Sequence, residues 1–271
     1  MHRHRRIIRC SKHFKQTRRT APFRIIRYVF NYAQDEADRV LLDKMVAEGK
    51  RLAAAVNPGA ANHGTYRRPY ERILNNCVAG LLAEHLWKDY LNHRGERVRT
   101  TVCEDVARQI DLETLDGELR IEVRASFPRN GIPFALCHPT RQFDVLGGYA
   151  NAYKPGEIRK ELYVRTLFHL KKTGERQGSN GKTYPVIEQL TERLYRPNFE
   201  VGLTGGCTYA MLERGYAKGF IPEDERDLAR LKTKTDYRVL PFHLAMDSVE
   251  VFDYGASGQK KSGPAEAGPD S

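Results

Sequence analysis

The sequence predicts an α/β protein with a mixed central β-sheet flanked by helices, and three observations carry that expectation. Two long segments of helical period, 34–56 and 69–91, come first. Next, Asp116-Gly117, a strong short-range hairpin signal, sits between β-prone residues that alternate on both sides. Two more strand-like runs, Gln142–Leu146 and Glu161–Arg165, follow, so the hairpin has further strands to pair with.

Residues 1–34 carry ten basic side chains and no acidic one. Removing those ten from the chain's 45 leaves 35 basic against 34 acidic, so the net charge of +11 belongs almost entirely to this block. It reads as a flexible basic arm able to neutralise nucleic-acid phosphates. An organellar transit peptide and an extension from an upstream start codon share that composition. No apolar run approaches the length of a spanning helix, and Met-His-Arg-His-Arg-Arg at the start lacks the apolar stretch of a secretory signal. A cytoplasmic, intracellular protein with no membrane partner is expected. Five scattered cysteines, never in CxxC spacing, argue for reduced thiols and against a disulfide framework or a structural zinc site.

The first helix, from Gln34 to Val56, presents Val40, Leu41, Met45, Leu52 and Val56 on one face and stops at Asn57-Pro-Gly59. The second, from about Pro69 to Leu91, has proline where helices begin and buries Ile73, Leu74, Cys77, Val78, Leu81, Leu82 and Leu86. Glu84 sits beside that stripe rather than opposite it. Then comes the hairpin, Gln109 to Ser126. If Asp116-Gly117 is the whole loop, Leu115 faces Glu118 and Asp111 faces Glu122. Alternation puts Gln109, Asp111, Glu113, Glu122, Arg124 and Ser126 on one face and Ile110, Leu112, Ile121, Val123 and Ala125 on the other. The apolar face is core.

After the hairpin, Gln142–Leu146 is closed by Gly147-Gly148, and Glu161–Arg165 completes a mixed sheet. Lys171 to Lys182 is polar and glycine-containing, hence a loop able to lie along a polyanion. Its Gly181-Lys182-Thr183 fails as a phosphate-binding P-loop, since position 176 is Arg where a glycine is required. Helical spacing returns at Val186–Leu194 and Thr208–Tyr216, the latter after Gly205-Gly206, where amides at a helix start could meet an anion. Val239–Leu244 reads as a last strand. From residue 256 onward the composition cannot bury enough apolar surface to order itself. The expected division is therefore an arm over 1–34, one domain over 35–255 and a disordered tail over 256–271.

Two carboxylates directly opposed in a hairpin repel unless a cation lies between them, and a divalent metal ion is one such cation. The order helix Glu (Gly80-Leu-Leu-Ala-Glu84), then Asp111, then Glu-x-basic (Ile121-Glu-Val-Arg-Ala-Ser126), followed by Phe143-Asp-Val-Leu146, resembles the PD-(D/E)xK nuclease superfamily over roughly Pro69 to Arg165. The resemblance implies a restriction-endonuclease-like core and hydrolysis of phosphodiesters with Mg²⁺, or Mn²⁺ in its place. It implies Asp111, Glu122, the Val123 carbonyl and Glu84 as metal ligands, and Arg124 as a catalytic cation. Hard oxygen donors suit those ions.

The chain departs from the family at Arg124, where lysine is usual. A guanidinium can hold a phosphate bidentately and stabilise developing charge, but it stays protonated and cannot serve as a general base. Two functions therefore stand side by side: an endonuclease acting on double-stranded DNA, of restriction, mobile-element or repair kind, with a homodimer allowed, and a catalytically inactive nucleic-acid-binding protein on the same scaffold. A third account makes the hairpin an amphipathic edge. Its acids would then be solvated, with Arg120 opposite Glu113 and Arg124 diagonal to Asp111 in surface ion pairs worth about 0–1 kcal/mol each.

Overall fold

A computed structural model of the chain describes residues 5–13, 20–56, 68–93, 95, 97–101, 110–127, 144–150, 158–178, 181, 183–218, 236–241 and 244–257. Gln109, Cys103, Cys137 and the tail beyond Ser257 lie outside the described residues. The protein is α/β, built on a mixed central sheet of seven strands. These are β1 (Arg5–His13), β2 (Thr20–Phe30), β3 (Val98–Thr100), β4 (Leu112–Thr114), β5 (Arg120–Ser126), β7 (Leu162–Phe168) and β10 (Phe199–Thr208). They lie side by side in the order β1-β2-β10-β7-β5-β4-β3. Only the β5/β7 pair is parallel; every other neighbour pair in this sheet is antiparallel.

Within the block 1–34, the described residues 5–13 and 20–34 do not form the expected flexible arm. Arg5–His13 forms β1 and Thr20–Phe30 forms β2, in which Phe23, Ile25, Ile26, Tyr28 and Phe30 are buried. Two of the block's arginines are consumed in structure: Arg24 holds Asp247 through both carboxylate oxygens, and Arg27 holds Glu200 at 3.2 Å. In β2 these cations are interleaved with core residues, so a basic composition and a buried strand coexist.

The two long helices fall where periodicity places them, α1 at Glu36–Ala55 and α2 at Tyr70–Leu91. Together with α5 (Ser248–Ser257) they pack on the sheet face that carries Ile121, Val123, Leu162, Val164, Leu203 and Ile26. The apolar face of the hairpin is indeed core, and Trp87 and Leu86 of α2 are fully buried. Such side chains contribute about 1.5–3 kcal/mol each on burial. Asp35 caps α1 by accepting from the amides of Ala37 and Asp38 at 2.8 and 3.1 Å. Asp35→Ala is expected to lower unfolding stability by about 1 kcal/mol, read as a lower urea midpoint at unchanged m.

On the opposite face a smaller cluster joins Tyr163 and Cys207 to Leu212 of α4 (Tyr209–Glu213) and Leu240 of β12 (Asp236–Pro241). Strand β12 lies between β11 (Tyr216–Lys218) and β6 (Asp144–Ala150) in a separate three-stranded sheet. The strand expected at Gln142–Leu146 therefore runs on through Gly147-Gly148 and leaves the hairpin's sheet. The strand at Glu161–Arg165, β7, does join that sheet, parallel to β5.

The stretch expected as a loop over Lys171–Lys182 is a strand over Lys172–Gln177, while Ser179, Asn180 and Lys182 lie outside the described residues. Strands β8 (Lys172–Gln177) and β9 (Thr183–Ile187) pair as an antiparallel hairpin, which absorbs Val186 and leaves only α3 (Leu190–Arg193) of the helix expected there. The segment after Gly205-Gly206 is a plain strand-to-helix turn, with the Thr208 hydroxyl accepting Met211 N–H and Tyr209 N–H donating to the Glu161 carbonyl.

Candidate functional site

The β4–β5 hairpin positions the two acids. Leu112 faces Ile121 and Glu113 faces Arg120, the register that Asp116-Gly117 predicts. The turn itself is wider than two residues. Thr114 N–H reaches the Leu119 carbonyl at 3.0 Å, Gly117 takes φ of 75°, and the Asp116 carboxylate accepts Glu118 N–H at 3.0 Å. Asp116 acts as the turn's internal acceptor, so the loop gains residues without changing which strand positions meet.

Asp111 lies one residue before β4, and its Oδ2 accepts the Val123 amide at 2.7 Å. Its side chain thus stands where a ladder carbonyl would, which ties it to β5 next to Glu122. Asp111 and Glu122 are 9% and 5% exposed. A solvated amphipathic edge is overturned by that burial. Nor does Arg120 pair with Glu113: it grips Glu161 at 2.7 and 3.0 Å, while Glu113 takes Arg99 at 2.8 Å.

Glu122 is held from two sides. Arg124 Nη1 is 3.0 Å from Oε1, and Lys160 Nζ is 2.8 Å from Oε2. Sequence patterning does not single out Lys160. It arrives because β7 runs parallel to β5 with Leu162 abreast of Ile121, which brings the lead-in of β7 alongside the start of β5. The same register sets Arg165 abreast of Arg124.

Burial, foremost, and the charge of Glu122 push the Asp111 carboxyl up to about 7, against a smaller opposing pull from Val123 N–H, Arg124 and Lys160. Glu84 on α2 is pushed up to about 8, first by burial and then by Asp111 and Glu122. The helix carboxylate therefore feels the hairpin pair, which periodicity, placing Glu84 beside the apolar stripe, leaves undecided. Among the described residues, however, no three Asp, Glu, His or Cys side chains draw together as a group able to hold a metal ion. Asp111 and Glu122 suit a hard divalent cation in kind, as adjacent buried carboxylates in mutual repulsion. Glu84 stands close enough to act electrostatically without closing a third ligand position.

Comparison with known proteins gives one broad likeness. A protein of Methanocaldococcus jannaschii described as uncharacterized is 25% identical over 251 residues, spanning 83% of this chain and 85% of its own length. The likeness therefore runs through most of both chains rather than through a local motif. No protein-family model matches the chain, and no solved structure matches it. Among the described residues, no helix is long and apolar enough to cross a membrane.

Proposed function

We propose that this chain is a divalent-metal-dependent nuclease that hydrolyses phosphodiester bonds in double-stranded DNA, on a restriction-endonuclease-like fold. The observation that carries the reading is the burial of Asp111 and Glu122 together, with two cations seated on Glu122 and with Glu84 raised by its own burial and then by both acids. Burying like charges side by side costs stability, and a chain keeps such a cluster where chemistry needs it. The mixed sheet, with its acid-bearing hairpin and the helix that carries Glu84, fits the same reading.

Asp111 and Glu122 would hold the Mg²⁺ or Mn²⁺ ion, with the Val123 carbonyl as a further oxygen, while Glu84 acts on the pair electrostatically from α2. When bound, the ion polarises the phosphodiester and offsets its negative charge. Arg124 hydrogen-bonds the attacked phosphate and stabilises the charge that builds there, without accepting a proton.

Purified protein with plasmid DNA and Mg²⁺ or Mn²⁺ is expected to nick it, and a chelator to stop the nicking. Glu122→Ala and Asp111→Asn should each lower the rate at least about 100-fold, as loss of a metal ligand does. Cutting by Glu122→Ala at the wild-type rate would sink this reading. One observation favours a non-catalytic nucleic-acid-binding scaffold instead: both oxygens of Glu122 are engaged by cations. That alternative predicts salt-sensitive DNA retention with no chelator-sensitive cleavage.

A further inference from the structure

The two cations on Glu122 are not equivalent. Lys160 is 0% exposed, and hydrogen bonds fix the segment that carries it. Its backbone N–H donates to the Tyr163 hydroxyl at 3.4 Å. The next residue, Glu161, accepts the Arg120 amide and guanidinium at 2.7 to 3.0 Å and donates its own N–H to the Arg120 carbonyl at 3.0 Å. The segment leading into β7 is thereby clamped to the start of β5, and the ammonium can meet Glu122 with little of its four-carbon stem left to order. An ammonium so buried is stable only with its carboxylate in place.

Arg124, by contrast, keeps 17% of its side chain exposed and approaches the other oxygen. It also stands abreast of Arg165 in the parallel ladder. A guanidinium is moreover built for bidentate contact with phosphate oxygens.

Resting on the nuclease reading above, we propose that Lys160 is the permanent positioning residue of Glu122 and Arg124 its exchangeable partner. In the free protein both cations hold the carboxylate. When a DNA phosphate enters, Arg124 leaves Oε1 for the phosphate, and Lys160 keeps Glu122 oriented through Oε2. The arrangement supplies from the lead-in of β7 the lysine that β5 lacks, and frees one Glu122 oxygen only when substrate is present to claim the arginine.

The test is steady-state cleavage of plasmid DNA with Mg²⁺ by wild type, Lys160→Met and Arg124→Met, each checked for folding by its Tm. Lys160→Met should lower kcat about 100-fold, the scale of a small misplacement of a reacting group, with KM within about threefold of wild type. Arg124→Met should raise KM about tenfold and make DNA binding less steeply salt-dependent. Should Lys160→Met not fold, Lys160→Gln keeps a donor for Oε2 and is expected to lose kcat about tenfold at unchanged KM. Wild-type kcat in the folded Lys160 variant, or a KM rise there matching that of Arg124→Met, overturns the division of roles while leaving the nuclease reading intact. Absence of any metal-dependent cutting by wild type overturns that reading and this inference with it.

Discussion

Glu84→Gln is expected to stabilise the metal-free protein by about 4 kcal/mol at pH 8 and to leave it nearly unchanged at pH 4, at about 1.4 kcal/mol per unit of pKa displacement. The Glu84 carboxyl is raised from 4.5 to about 8 by burial and by the charges of Asp111 and Glu122. The folded protein therefore holds a proton that the unfolded chain releases. A group raised in this way contributes its full stability below about pH 4.5 and loses it as pH climbs to about 8, so wild-type stability falls across that window. Glutamine keeps the shape of the protonated acid and has nothing to lose. Asp111→Asn should act in the same direction between 3.8 and about 7, and the asparagine side chain can still accept the Val123 amide. The double variant should gain less than the two singles summed, because Asp111's charge is one of the causes of Glu84's shift. Urea unfolding at pH 4, 6 and 8 reads all of this. Equal pH slopes for wild type and Glu84→Gln would show that the fold does not hold that carboxyl protonated. With duplex DNA present, added Mg²⁺ should raise wild-type stability at pH 8 beyond the effect of DNA alone, and do so far less in Asp111→Asn.

The parts of this fold visible in the sequence are those that local patterning determines. Helices α1 and α2 declare themselves through apolar residues at helical spacing, and the hairpin register follows from Asp116-Gly117 even though the turn is wider than two residues. Composition misleads at the N-terminus. Ten cations in 34 residues suggest a solvated arm, yet Phe23-Arg-Ile-Ile-Arg-Tyr-Val-Phe30 is also a β-prone run, and it becomes a buried strand. The carboxylates that neutralise Arg24 and Arg27, Asp247 and Glu200, come from the far end of the chain. No local reading could supply them. Strands β8 and β9 escape sequence patterning for a different reason: they form a sheet of their own, so Lys172–Gln177 needs no apolar face to mark it as a strand.

The candidate site divides in the same way. Asp111 and Glu122 are fixed by hairpin register, a local property, whereas their burial depends on what surrounds the hairpin. Lys160 stands just before a strand whose partner is unknown until β7 is seen parallel to β5. A lysine at the start of Lys-Glu-Leu-Tyr-Val carries no periodic signal that separates it from a surface residue. Parallel pairing requires a crossover connection, so it joins residues far apart in sequence, and here it delivers to Glu122 a second cation beside Arg124.

Gly205→Ala is expected to destabilise the protein by at least about 3 kcal/mol, because it combines backbone strain with overpacking. Gly205 has φ of 77°, and a Cβ there would lie 2.0 Å from the Met246 carbonyl oxygen, a backbone atom that cannot swing aside. The residue forms the bulge in β10 at which the register against β7 shifts between Leu203 and Gly206. Three bonds depend on that bulge: Gly205 N–H to the Ser248 hydroxyl at 2.9 Å, Gly206 N–H to the Met246 carbonyl at 3.0 Å, and Met246 N–H back to the Gly206 carbonyl at 2.8 Å. Ser248 opens α5, whose Val251 and Phe252 belong to the main core, so opening the bulge detaches a helix as well as a strand end. The consequence reaches the candidate site through β7, which lies between β10 and β5 and whose lead-in carries Lys160. Urea unfolding should show a lowered midpoint for Gly205→Ala, and Gly205→Asn, whose side chain tolerates positive φ, should recover little because the clash at Met246 remains. Recovery by asparagine to near wild-type stability would mean that φ alone, and not the close approach, reserves this position for glycine.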